Sequence, residues 1–291
     1  MKIIENRKKF FALSLILILV GIAAMFYQGS KGNGILNWDV EFTGGTSMEI
    51  DMGAAYDHAK LEEVIFNVTG QKAPQIQDII GTNEVSLKMQ SIDSETRIEL
   101  DKSIKTTFPS AEVKSTSDVS GTVSSEMQQA AIKATLIACV AMLIYISIRF
   151  RDIRAGGSAI IALLHDILIV IATYAVFRIP VNNSFIAVIL TILGYSINST
   201  IVIFDRVREN HDRFSSHQAA EKINKSVSQT LARSINTSMT TLFTVGAIYV
   251  IGVQSIKEFA LPMMVGIIMG AYSSICISGS IWYMLLPKNE K

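Results

Sequence analysis

Cysteine is scarce in this chain: Cys139 and Cys276 are the only two, and both fall inside apolar runs. No disulfide framework is indicated, and the redox compartment cannot be read from them. Metal-ligand spacings, phosphate-cradling glycine loops and basic patches interleaved with aromatics are also missing, so metal enzymes, nucleotide-binding enzymes and nucleic-acid binders lose their usual signatures. The chain is therefore expected to carry no metal, no cofactor and no catalytic residue, and to bind no nucleic acid. Charge is thin as well. Only 18% of the 291 residues are Asp, Glu, Lys or Arg, while 49% are hydrophobic, and the mean hydropathy of +0.38 is too high for an ordinary soluble domain of this size.

What charge there is lies unevenly. The net charge is +1, but residues 28–129 hold 16 acids against 8 bases, and the remainder holds 9 acids against 18 bases. An acidic part and a basic part of such a protein face opposite sides of a membrane. Apolar runs occur at 10–27, 134–148, 156–177, 185–204, 235–253 and 261–286, the second as the inner part of a helix that starts near Ser124. The short loop after the second run carries Arg149, Arg151 and Arg154. A six-base connector follows the fourth, and Lys288 and Lys291 follow the last. Six spans with both termini cytoplasmic place these bases on the inside. The basic residues ahead of the first run, and the lack of a small-residue cleavage site after it, argue for an uncleaved span rather than a signal peptide.

The acidic part alternates strand and helix signals. Residues 46–51, 75–80, 84–90 and 111–117 read as strands, and 57–69 and 93–108 as helices, with a hairpin link at 81–83. The order βαββαβ is the ferredoxin-like pattern. The expected fold is thus a polytopic α-helical membrane protein with six transmembrane helices and one α+β ferredoxin-like extracytoplasmic domain between helices 1 and 2. Its parts are 1–27 (cytoplasmic N-terminus and first helix), 28–129 (the external domain) and 130–291 (a five-helix bundle with cytoplasmic connectors at 149–155 and 205–234).

Polar residues interrupt the spans. His165 and Asp166 sit near the middle of one, where an acid costs roughly 2.5–3.5 kcal/mol on insertion scales. A hydrogen-bonded helix contact or an ion relay would each account for the pair. Tyr195, Asn198, Val202 and Asp205 recur at helical spacing as a polar seam, with Ser199 beside it. Arg233, Asn236, Thr237 and Thr240 form a second stripe. Gly266 and Gly270 have the small-xxx-small spacing of close helix packing.

Four strings, EFTGGT at 41–46, ALLHDILI at 162–169, GYSINSTIVIFDRVREN at 194–210 and TLARSINTSMTTL at 230–242, together resemble the SecF family of Sec protein-export subunits, in the resistance-nodulation-division superfamily. The resemblance runs the whole chain in order. It implies a half-transporter that pairs with SecD as its pseudo-symmetric other half, beside the SecYEG channel and YajC in the bacterial cytoplasmic membrane. It further implies an unfolded preprotein as substrate and a proton or sodium gradient in place of any cofactor. By position it makes His165, Asp166, Arg233 and Asp205 ion-relay candidates, with Tyr195, Asn198, Ser199, Asn236, Thr237 and Thr240 as the polar seam. Glu41, Phe42, Thr43, Gly44 and Gly45 become the external motif. Two positions depart from the pattern: Glu41 stands where the family usually has aspartate, and Ser199 where the clearest coupling motif, IND, has an acid. Serine carries no charge, so coupling through other acids and a passive, stabilising subunit both stay open, as does a half-size exporter of the same superfamily.

Overall fold

The computed structural model describes residues 2–32, 34–71, 75–79, 82–215, 217–252 and 254–287. The expected hairpin link at 81–83 and the end of its first strand lie partly outside these residues, as do Lys288 and Lys291. The chain divides into two compact units, residues 38–131 and residues 1–37 with 132–291.

The smaller unit holds α2 (Val40–Thr43), β1 (Gly45–Asp51), α3 (His58–Thr69), β2 (Gln75–Asp78), β3 (Glu84–Met89), α4 (Ser94–Thr107) and β4 (Glu112–Val119), and the first turns of α5 (Gly121–Phe150). Alternation in β1 puts Met48 and Ile50 inside and leaves Glu49 out. The strands form one antiparallel sheet in the order β2-β3-β1-β4. Leu61 and Ile65 of α3 and Leu100 and Ile104 of α4 share its apolar core with Val85 and Leu87. Each helix starts on an aspartate: Asp57 accepts from the Ala59 amide, and Asp93 from the Thr96 amide.

The EFTGG string is a corner of this unit. Gly44 and Gly45 have φ of +75° and +129°, and a Cβ on Gly45 would lie 2.3 Å from the Met89 carbonyl oxygen. Only glycine suits that approach. Val40 and Phe42 are buried, the Ser124 hydroxyl donates to the Val40 carbonyl at 3.2 Å, and the Gln128 amide donates to the Phe42 carbonyl. Lys88, 6% exposed, pairs with Asp39 at 2.9 Å.

Among the described residues six helices are long and apolar enough to cross a membrane: α1 (Arg7–Ser30), α5, α6 (Ile153–Phe177), α7 (Asn183–Glu209), α8 (Ala219–Ile251), and a last span that opens as α9 (Gln254–Tyr272) and closes as α10 (Gly279–Leu285). The central spans are α6, α7 and the last one, each about half buried or more, whereas α1, α5 and α8 bury little of their surface within this chain. The connector at 205–234, expected to be partly helical, is mostly helix: α7 continues to Glu209 and α8 starts at Ala219, so only a short link, with a 3₁₀ turn at His211–Arg213, joins them. One departure from expectation matters: the last span is not one regular helix, because Ser273–Ser278 winds as a π-helical turn.

Close approaches fix the packing. A Cβ on Gly21 would lie 2.1 Å from Ala172 Cβ and 2.8 Å from Ala172 Cα, so α1 meets α6 there backbone to backbone. Before α1, Ile3 and Ile4 are buried, and both donate their amides to Asn224 Oδ1 of α8 at 2.8 and 3.1 Å.

Two consequences can be measured. Gly21→Ala should lower the thermal midpoint of the purified chain by an amount matching about 1–3 kcal/mol of overpacking, while Gly29→Ala, with only one ordinary contact in reach, should not. In the smaller unit, the Lys114 ammonium donates to Asp51, the Tyr56 hydroxyl to Asp78 and the Thr96 amide to Asp93, and each carboxyl is held below its ordinary value of 3.8. Depressed carboxyls stabilise above that value and lose the contribution as pH falls through their folded pKa. Hydrogen exchange in β1 and β3, corrected for intrinsic rates, should therefore accelerate below pH 3.8, and Asp78→Asn should blunt that response.

Candidate functional site

The densest buried polar cluster among the described residues lies where α6, α7 and the last span meet. Asp166 is fully buried (0% exposed) and His165 nearly so at 8%. His165 Nδ1 lies 2.9 Å from Asp166 Oδ1. The other carboxyl oxygen, Oδ2, accepts from the Ser196 hydroxyl of α7 at 2.6 Å and from the Ser273 hydroxyl at 2.8 Å. A second layer continues from it: Ser274 donates to the Ser196 carbonyl at 3.1 Å and shares a hydrogen bond with Thr200 at 2.9 Å. The Tyr272 ring faces that of His165 at 6.3 Å, and its hydroxyl donates to the Phe10 carbonyl of α1 at 2.8 Å.

Local winding makes this possible. In a regular helix, consecutive residues point about 100° apart. The π turn absorbs one extra residue at Ser273–Ser278 and presents Ser273 to α6 and Ser274 to α7. Glycine does the rest, because Cβ atoms on Gly266 and Gly270 would lie 2.1 Å from Ile192 Cδ1 and 3.0 Å from Ser196 Cβ. The small-xxx-small pair thus seats the last span on α7.

A buried carboxylate in a spanning helix has to be compensated by donors or by a proton. Here one oxygen meets the imidazole and the other two hydroxyls. A proton placed on Oδ2 would turn an acceptor into a donor, so at least one hydroxyl would have to reorient or withdraw. Proton occupancy is therefore coupled to contacts that tie three helices together. Among the described residues His165 Nε2 is buried without a hydrogen-bond partner, which leaves the far side of the imidazole available to a proton or a water.

The structure brings His165 and Asp166 together and leaves the other relay candidates outside the cluster. Asp205 lies about 14 Å further along α7, at 1.5 Å per residue, and pairs with Arg149 at 2.9 Å. Arg233 is exposed on α8, as are Asn236, Thr237 and Thr240. The seam of α7 also reads differently in space. Asn198 is exposed and Tyr195 half-buried with its hydroxyl unpartnered, whereas Ser196, Ser199 and Thr200 are buried. Of the motif at 41–45, Phe42 and Gly45 are buried, Glu41 and Gly44 are half-buried, and Thr43 is exposed. Sequence reasoning missed Ser196, Ser273 and Ser274. The signal for the latter two was the serine-rich run Ser273, Ser274, Ser278 and Ser280 in an otherwise apolar span.

Ser196→Ala and Ser273→Ala should each destabilise the purified chain by about 1–3 kcal/mol, because each leaves Asp166 Oδ2 short of a donor in a dry site. Ser199→Ala, which removes none of those bonds, should cost less. Thermal unfolding of the three variants in one detergent checks the ranking.

A profile of the family described as "Protein export membrane protein SecD/SecF, C-terminal" matches residues 99–288. Proteins named protein translocase subunit SecF are similar along the whole length. That of Sebaldella termitidis is 32% identical, over 100% of this chain and 95% of that protein. Its counterpart from Borreliella burgdorferi is 36% identical over 94% of each, and that from Haemophilus influenzae 32% identical over 98% of this chain and 88% of its own. Among solved structures, SecDF from Thermus thermophilus, described as a translocon-associated membrane protein, superposes with a TM-score of 0.84 at 29% identity. The match covers 98% of this chain but only 38% of that one, so the chain spans well under half of that protein. A second SecDF structure, in the super-membrane-facing form, gives a TM-score of 0.69 over the same shares. With six membrane-length helices, a family profile over most of its length and relatives above 30% identity along nearly all of it, the chain is a multi-pass membrane protein that belongs to the SecF family of protein translocase subunits.

Proposed function

We propose that this chain is an auxiliary subunit of the bacterial Sec translocase that acts with SecD late in export, drawing an unfolded preprotein outward and releasing it with energy from a proton or sodium gradient. The observation that carries the coupling is Asp166. It is a fully buried carboxyl whose two oxygens are bonded across α6, α7 and the last span. Moving one charge through 100 mV releases about 2.3 kcal/mol, comparable to the one or two hydroxyl contacts that protonation would disturb.

A SecD partner is supported by the surface this chain leaves uncovered. Asn198 on α7 and Arg233, Asn236, Thr237 and Thr240 on α8 are exposed from the chain, yet they lie on helices of membrane-spanning length. Polar side chains at that depth seek another helix or a water-lined path. A second half docked on α7 and α8 supplies either, and Asp205 and Arg233 then sit near it at the membrane edge rather than in the Asp166 cluster. Residues 28–129 form the ferredoxin-like unit on the outer face, where an acidic surface meets the emerging chain. Residues 1–27 and 130–291 lie in the cytoplasmic membrane with both termini inside, beside SecYEG and YajC.

The absence of an acid at Ser199 favours a second reading, a subunit that stabilises the translocon while its partner handles ions. Reconstitution of this chain with SecD and the channel in vesicles separates the two. With coupling through Asp166, the unaltered chain gives preprotein release that depends on the ion gradient. Asp166→Asn reduces release to the level measured without a gradient, and Ser199→Asp changes little. Gradient dependence that survives Asp166→Asn would overturn the coupling role.

A further inference from the structure

A cavity of about 340 Å³ opens at the end of the helical unit where the N-terminus packs and the last span finishes, well away from the Asp166 cluster. Its walls are of two kinds. Arg154, Arg208, His211 and Lys222 bring basic nitrogen, and Phe150, Val207, Ile223, Trp282 and Leu286 bring apolar surface. Among the described lining residues the one carboxyl, Asp152, accepts from Arg154 Nε at 2.9 Å and from the Trp282 indole at 3.0 Å. Asp152 is drawn up by partial burial, but those hydrogen bonds prevail and hold it below its ordinary value, so it stays a carboxylate. Three permanent cations against one anion leave the described lining positive.

Trp282 is fixed as well as charged around. Its ring packs tilted on Phe204 at 5.0 Å, and Phe204 edge-on against Phe150 at 5.8 Å, so one wall is an aromatic cluster. Arg208 donates to the Arg149 carbonyl at 3.3 Å, which holds its guanidinium at the rim. Just outside, Ile153 is 74% exposed between two lining residues, and Leu285 is 46% exposed beside a third. A basic, aromatic-walled cavity at the ends of spanning helices, bordered by bare aliphatic surface, suits an anion that carries its own hydrocarbon.

We infer that this cavity binds the phosphate headgroup of an anionic phospholipid, with Arg208 and Lys222 engaging the phosphate and the acyl chains lying along the apolar rim. The inference does not depend on ion coupling or on which face of the membrane this end occupies. The full chain carries only two tryptophans, Trp38 and Trp282, so Trp38→Phe leaves Trp282 as the sole reporter inside the cavity wall. The chain is placed in phosphatidylcholine bilayers with identical leaflets and a minor fraction of phosphatidylglycerol. Bromine near the headgroup end of the acyl chains is carried by one lipid or the other at equal mole fraction. Brominated phosphatidylglycerol should quench Trp282 at a concentration roughly tenfold lower than brominated phosphatidylcholine. Arg208→Gln with Lys222→Gln should bring the two lipids level, and Arg208→Lys with Lys222→Arg should keep the preference. Equal quenching by both lipids in the unaltered cavity, or a preference that survives the double glutamine change, would overturn the proposal. Added inorganic phosphate decides the source: no relief of quenching supports the lipid, and relief at millimolar phosphate assigns the cavity to a soluble anion instead.

Discussion

The larger unit is organised around the need to keep one carboxyl in a dry place. A bare carboxylate at the centre of a bilayer-spanning bundle would cost several kcal/mol, and Asp166 has no surface through which water could reach it. His165 alone could offset part of the cost, but an adjacent residue on the same helix serves one oxygen only. The second oxygen draws in α7 through Ser196 and the last span through Ser273. Gly266 and Gly270 allow that span to lie close enough for a hydroxyl to reach, and the π turn aims the hydroxyl. Packing and polarity are therefore one problem here, solved by small residues placed opposite a buried acid.

The two units rest on different physics. Residues 38–131 fold as a soluble domain would, with alternating strands, aspartate-capped helices and a core of Leu, Ile, Met and Val. The helical unit leaves most of α1, α5 and α8 uncovered by its own chain and concentrates burial in α6, α7 and the last span. On α1 and α5 the uncovered surface is largely aliphatic, as for residues that meet lipid. On α8 it also carries Arg233, Asn236, Thr237 and Thr240 among apolar residues such as Phe243 and Ile251.

Much of this was legible beforehand. The six spans came from run length and from where the bases lie, and the strand and helix order of the smaller unit from alternation and helical periodicity. His165 and Asp166 stood out because acids are rare in apolar runs. The partners of Asp166 did not stand out, since serine in a spanning helix usually bonds to its own backbone and carries no periodic signal. Residues 205–234 read as partly helical from the sequence, and the buried stripe Ala219, Ile223, Val227 and Thr230 shows how much of that stretch α8 takes up. The glycines of EFTGG were marked only as a family motif, and their positive φ values and the approach of Met89 give them a structural task at a strand's start.

The π turn reaches further than the acid it serves. An extra residue in a helix rotates everything after it by about 100° relative to what came before. In the last span, Gly266 and Gly270 are set by α7 on one side of the turn, and Trp282 takes its bearing on the other. The inserted residue is thus a phase shifter: it lets one helix present small residues and hydroxyls to the buried carboxyl and, two turns later, an indole to Asp152. The middle of the bundle and its rim are geared to each other through a single change of winding.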